Sequence, residues 1–174
     1  GCRGWSWDDL LPYFKRAESR TGGDDAVRGR SGPLVIEDQR DPHVLSDAYM
    51  SANEALGLKR TPDYNCGDQE GTLLYQNMMR GGRRWSPVDA YLKPAMKRAN
   101  VRVITRALVE RVDIEGKRAT GITYRQDGQT KQIKARRDVI LAGGAINTPQ
   151  LLQISGVGQP DDLAAIGVAV KHAL

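Results

Sequence analysis

Over the first hundred residues the apolar positions recur mostly at helical spacing, and beyond them they alternate as strands. Leu10, Leu11, Phe14 and Ala17 follow one another at helical intervals and predict a helix over 7–18. Ser6 is a suitable N-cap, and Asp9 three residues later approximates a capping box. Pro12 either kinks this helix or marks its true start. A second helix follows Asp41-Pro42, a capping residue with proline at the first helical position. Its face carries Leu45, Ala48, Tyr49, Ala52 and Leu56, and Gly57 ends it. Ser86-Pro87 repeats the cap-then-proline pattern for a third helix reaching about residue 92, and Pro94 either ends it or starts a second short turn over 95–98. Short strands are expected over 34–36 and 73–79. The Gly-rich, mixed-charge stretch over 21–33 reads as a mobile loop, and 61–72 as an irregular one.

After Asn100 the pattern alternates. Strands are predicted over 101–105, 109–114, 119–124 and 131–135, with turns at Glu115-Gly116-Lys117 and Gln126-Asp127-Gly128, which makes an antiparallel meander. Val139-Ile140-Leu141-Ala142 is a continuous apolar run of the kind buried on both faces of a parallel sheet. Gly143-Gly144-Ala145 follows, then a helix over 148–154 ended by Gly156, and a short helix over 161–166 before Gly167. A soft boundary falls near residue 100, separating a helix- and loop-rich segment over 1–100 from a strand-rich segment over 101–174.

Composition adds limits. The 174 residues carry 40% hydrophobic and 27% charged side chains, an ordinary globular balance that argues against disorder despite 19 glycines. No apolar run approaches the roughly 20 residues of a membrane span. Lys+Arg exceeds Asp+Glu by 26 to 21, a mild excess that a nucleic-acid binder would need concentrated on one face. Cys2 and Cys66 form neither a CxxC pair nor a metal-ligand spacing, and two free thiols suit a reducing cytoplasm. The first residues contain no initiator Met and no apolar leader, so the chain reads as an internal part of something longer.

Reactive groups are sparse. His43 opens a helix and His172 lies near the chain end, and neither has a neighbour that would make it a base; both read as surface histidines. Asp8-Asp9 and Asp24-Asp25 read as capping and solvated pairs. Arg80, Arg83 and Arg84 beside Trp85 form either an anion site or a charged loop with its tryptophan tucked inward. Trp5 and Trp7 read as core or interface anchors. The apolar strand running into Gly143-Gly144 lets backbone approach a ligand, with the amides of the next helix facing a phosphate or ribose; the alternative is a tight strand-to-helix turn with no ligand. The full Gly-x-Gly-x-x-Gly fingerprint is absent.

Taken together, these segments resemble the glucose-methanol-choline family of flavin-dependent oxidoreductases, in its choline dehydrogenase and alcohol dehydrogenase branch. The likeness rests on Gly4-Trp5-Ser6-Trp7-Asp8-Asp9-Leu10-Leu11-Pro12-Tyr13-Phe14 with Glu18, on Gly32-Pro33-Leu34, on Asp63-Tyr64-Asn65 with Gln69-Glu70-Gly71, and on Gly82-Arg83-Arg84 with Ala90-Tyr91-Leu92-Lys93-Pro94-Ala95. Its most specific piece runs from Gly144 to Gly158 and is similar to the family's second signature.

The resemblance implies an α/β fold of mixed α+β character: a partial Rossmann-like FAD-binding domain plus the start of an antiparallel-sheet substrate domain. It implies FAD as cofactor and a small-molecule alcohol, choline or another, as substrate, oxidised at its CH-OH group by hydride transfer to flavin. The electron acceptor is left open, and the remainder of the parent polypeptide is the expected partner. Carried over residue by residue, the segment Thr105-Arg106-Ala107-Leu108-Val109 makes Val109 a backbone contact to the adenine of FAD, and Ala142 and Gly143 lie by its ADP part. No catalytic residue and no metal ligand is assigned, because the family's N-terminal Gly-rich motif and its catalytic histidine have no counterpart here. The competing expectation is a non-catalytic binding or structural module that keeps a partial flavoprotein fold.

Overall fold

A computed structural model describes residues 2–174; Gly1 lies outside them. The chain divides into two compact units, one ending at Arg102 and one over Val103–Leu174.

In the first unit α1 (Trp7–Ala17) begins with the full capping box: the Ser6 hydroxyl accepts the Asp9 N–H at 3.2 Å, and the Asp9 carboxylate accepts the Ser6 N–H at 3.2 Å. Pro12 sits inside the helix, so it neither starts nor ends it. Trp5 and Trp7 are 72% and 56% exposed, which corrects the expectation of core anchors. Trp7 meets Phe14 with ring centroids 6.3 Å apart, and both rings stay more than half exposed. Strand β1 (Glu18–Arg20) runs parallel to β2 (Leu34–Glu37), which pairs antiparallel with β3 (Asn77–Arg80), and β3 turns back into β4 (Arg83–Arg84). The strand expected over 73–79 is shortened because β2 offers only Glu37 and Ile36 as partners, to Asn77 and Met78.

The 21–33 stretch is pinned rather than loose. Arg30 donates to the carbonyls of Arg20, Gly22 and Gly23 at 2.7–2.8 Å, and Lys15 Nζ donates to the Asp25 carbonyl at 2.6 Å. Gly32 passes so close to α1 that a Cβ there would fall 2.2 Å from the Ala17 carbonyl carbon. Helix α2 (Val44–Ala55) starts two residues later than Asp41-Pro42 predicts, because His43 is the N-cap and its Nδ1 accepts the Leu45 N–H at 3.2 Å. After Ser86-Pro87 a five-residue π-turn (Val88–Leu92) leads into the single turn α3 (Lys93–Ala95). Pro94 has no N–H with which to continue an ordinary helical ladder.

Residues 101–105, which straddle the boundary between the units, join no ladder, and the meander of the second unit begins at β5 (Leu108–Glu115) and continues through β6 (Arg118–Gln126) and β7 (Gln129–Lys134), all antiparallel. A bulge interrupts the β5–β6 register between Val109 and Arg111. The 139–142 run is not a buried strand: it has no partner among the described residues, and Ile140 is 87% exposed. Apolar composition marks a strand suited to burial, but a ladder needs neighbours. Helix α4 (Gly144–Ile154) begins four residues before the predicted start. Strand β8 (Val157–Gly158) pairs in parallel with β9 (His172–Ala173), and α5 (Pro160–Ala165) lies between them in sequence and buries Leu163 completely. Val112 and Tyr124 of the meander join Leu163 as the unit's buried hydrophobic side chains, and Thr123 and Ser155 are its buried polar ones. The fold is mixed α/β.

Candidate functional site

The second unit contains a cavity of about 690 Å³, and Val109, Ala142 and Gly143 all line it. Its volume is in the range of small-molecule and cofactor pockets. One wall is the bulged start of β5, where Val109 is half-buried and paired with Tyr124. Ile122 and Ile133 of the meander form the floor. The unpaired 138–142 segment and the cavity-facing side of α4 close the rest, with Ala142 and Gly143 exposed at the junction.

The turn between segment and helix has a specific geometry. Gly143 is the N-cap of α4 and offers no side-chain cap. Its own N–H donates to Thr148 Oγ1 at 3.0 Å, so this amide is occupied inside the turn. A Cβ on Gly143 would lie 3.2 Å from Asn147 Cβ and press on the first turn of the helix. Gly144 has φ +86°, a left-handed conformation that glycine adopts without penalty. The start of α4 therefore carries no side-chain cap at the positive end of its dipole.

Among the lining residues Asp138 alone carries a charge. The remainder is apolar, with Asn147, Thr148 and Gln150 as polar groups from α4. Such a lining can bind and orient a flat heteroaromatic group; it places no base or nucleophile pair. The residues present fit one end of a dinucleotide: an apolar cleft, a glycine set tight against the helix, and an uncapped helix start.

Asn147, Thr148 and Gln150 were not singled out from the sequence. Helical numbering from Gly143 would have found Asn147 four residues on, had the helix been started at Gly144. His43 caps α2, and His172 is an exposed residue of β9. Arg83 and Arg84 are exposed, whereas the Arg80 guanidinium lies 4.9 Å from the Trp85 ring centroid and Trp85 Nε1 donates to the Pro33 carbonyl at 2.8 Å. No group of acidic, histidine and cysteine side chains suited to a metal ion occurs among the described residues, and no helix of them is long and apolar enough to cross a membrane.

Comparison with known proteins gives the family. The chain is 42% identical over 171 residues to the oxygen-dependent choline dehydrogenase of Rhizobium johnstonii, covering 98% of this chain and 31% of that protein. It is 43% identical over 173 residues to the protein of the same name in Rhizobium rhizogenes, with 98% and 31% covered. Among solved structures, pyridoxine 4-oxidase from Mesorbium loti superposes with a TM-score of 0.89 at 34% identity over 99% of this chain and 34% of that one. An FAD-dependent oxidoreductase from Chaetomium thermophilum superposes at 0.90 with 26% identity, covering 100% and 33%. The chain spans about a third of the length of the relatives it matches. The matching family is one of oxidoreductases that bind FAD. Since residues 1–172 match that family, the chain belongs to the GMC oxidoreductases.

Proposed function

We propose that this chain is a segment of a longer FAD-dependent oxidoreductase that oxidises a CH–OH group of choline or another alcohol, and that its cavity receives the adenine end of FAD. The observation that carries this is the convergence of Val109, Ala142 and Gly143 on one cavity. The names of its relatives support choline as a first candidate substrate.

FAD, when bound, supplies the acceptor for a hydride. In the proposed reaction the carbinol C–H bond breaks with its electron pair, and the O–H proton passes to a base. Neither His43 nor His172 is assigned that base, which belongs to the rest of the polypeptide. The residues of this chain bind and orient. Val109 would meet the adenine through its backbone, from the part of β5 just before the bulge, where it pairs with Tyr124. Ala142 and Gly143 would run along the ADP portion, with Gly143 seated against the first turn of α4. The uncapped start of α4 would favour a phosphate or ribose oxygen.

In this reading residues 101–174 belong to the FAD-binding domain, and residues 1–100 begin the substrate domain and its junction with the flavin domain. The partners are a small-molecule alcohol and the rest of the longer chain. The two free, exposed thiols suit a cytoplasmic protein. The test is the full-length polypeptide purified with its flavin. Anaerobic addition of choline, or of another primary alcohol from a panel, should bleach the flavin absorbance. A full-length protein that shows no flavin bands after reconstitution with FAD would contradict the proposal.

A further inference from the structure

We propose that Ser155 is a positioning residue for the cofactor cavity, its hydroxyl fixing the separation of the two walls between which FAD would lie. The proposal rests on the reading that FAD occupies this cavity.

Strand β5 is the edge of the β5-β6-β7 sheet, so alternate N–H groups along it point away from β6. Where such an edge is buried, each of those groups needs another acceptor. Val112 is 6% exposed, and its N–H donates to Ser155 Oγ at 2.8 Å. The same hydroxyl donates its proton to the Leu151 carbonyl at 2.6 Å. Ser155 is itself 7% exposed. One buried hydroxyl thus uses its acceptor and donor capacities together, joining the edge strand to the last turn of α4.

The two ends of this link lie next to the two walls. Leu151, whose carbonyl takes the Ser155 proton, lines the cavity. Val109, three residues before Val112 on β5 and beyond the bulge, lines it opposite. On its other side Ser155 borders a second hollow of about 420 Å³, lined by charged groups including Arg111, Asp113 and Lys171. Removing the hydroxyl leaves the Val112 N–H buried without an acceptor. The strand and helix must then part to admit water or shift against each other, and either movement changes the width of the cleft.

The test compares FAD affinity in the full-length holoprotein, read as flavin fluorescence recovered on release, among Ser155→Ala, Ser155→Cys, Leu163→Val and Val109→Arg. Loss of one buried hydrogen-bonded link is expected to weaken FAD by about tenfold in Ser155→Ala. Ser155→Cys keeps the shape with weak hydrogen bonds, replaces the alanine variant should that one fail to fold, and loses affinity in the same direction. Leu163→Val lowers thermal stability by thinning the unit's core and leaves FAD affinity unchanged. The proposal is overturned if both Ser155 variants bind FAD as the unmodified protein does, or if Leu163→Val loses FAD in the same proportion to its loss of stability. Should Val109→Arg also leave FAD affinity unchanged, the cavity assignment itself fails. Should Val109→Arg weaken FAD while the Ser155 variants do not, only the role of Ser155 fails.

Discussion

Arg28 donates to both carboxylate oxygens of Asp63, Nε to Oδ2 at 2.8 Å and Nη2 to Oδ1, and each side chain is only 5% exposed. The same guanidinium donates to Glu18 at 2.8 Å. Three chain segments, the start of β1, the pinned 21–33 loop and the 61–72 loop, are thereby tied at one buried cation. Replacing Asp63 by asparagine keeps the shape and removes half of the compensating charge. Breaking a buried pair from one side costs about 3–5 kcal/mol. Urea unfolding of Asp63→Asn should show a loss of that size; a change under about 1 kcal/mol, the level of an exposed pair, would contradict the role assigned to it.

The same pair predicts a dependence on acid. Burial pushes the Asp63 carboxyl up, but the hydrogen bonds from Arg28 and from the Asn65 N–H outweigh it and hold the group below the usual aspartate range. The unfolded chain therefore takes up this proton first. The stabilisation is fully present above the ordinary aspartate value of about 4 and is lost as pH falls through the folded value below it. Stability measured from pH 6 downward should drop below about pH 4, and Asp63→Asn should flatten that drop. An unchanged acid slope in the variant would count against the assignment.

Gly144 opens α4 at φ +86° with open space where a Cβ would stand. Its constraint is conformational rather than steric. Gly144→Ala should cost about 1–2 kcal/mol of stability through the left-handed backbone alone. A thermal unfolding midpoint equal to that of the unmodified protein would show that the turn relaxes to another conformation.

Local chemistry was legible from the sequence where the partners are close along the chain. The Ser6–Asp9 box and the Asp127-Gly128 turn of the meander, where both residues have positive φ, are examples. Features that depend on distant partners were not legible. Nothing near Arg28 announces Asp63, which lies 35 residues away. The 139–142 run carries the composition of a buried strand, but its ladder requires neighbours that the described residues do not provide. Val109 was nominated by resemblance and not by periodicity, which marks only that it belongs to a strand. Asn147 falls outside the predicted helix because Gly143-Gly144 reads as a helix breaker. The positive φ of Gly144 instead lets the helix begin there.

Ile140 and Ile146 are 87% and 82% exposed on either side of the Gly143-Gly144 turn. An apolar, unpaired extended segment is a template for association with other chains. The 174-residue chain taken alone should self-associate and bind hydrophobic dyes, and Ile140→Lys should reduce both. Light scattering checks this. A monomer with no dye binding would show that the segment is covered in some other way.

The central claim is that the cleft between β5, the 138–142 segment and α4 holds the adenine end of FAD. Titration of FAD into the full-length apoprotein, comparing the unmodified chain with Val109→Arg and Gly143→Val, tests it most directly. Both substitutions place bulk inside the cleft or against the first turn of α4, and both should raise the dissociation constant for FAD at least about tenfold, the equivalent of roughly 1.4 kcal/mol. Unchanged FAD affinity in two folded variants would contradict the claim.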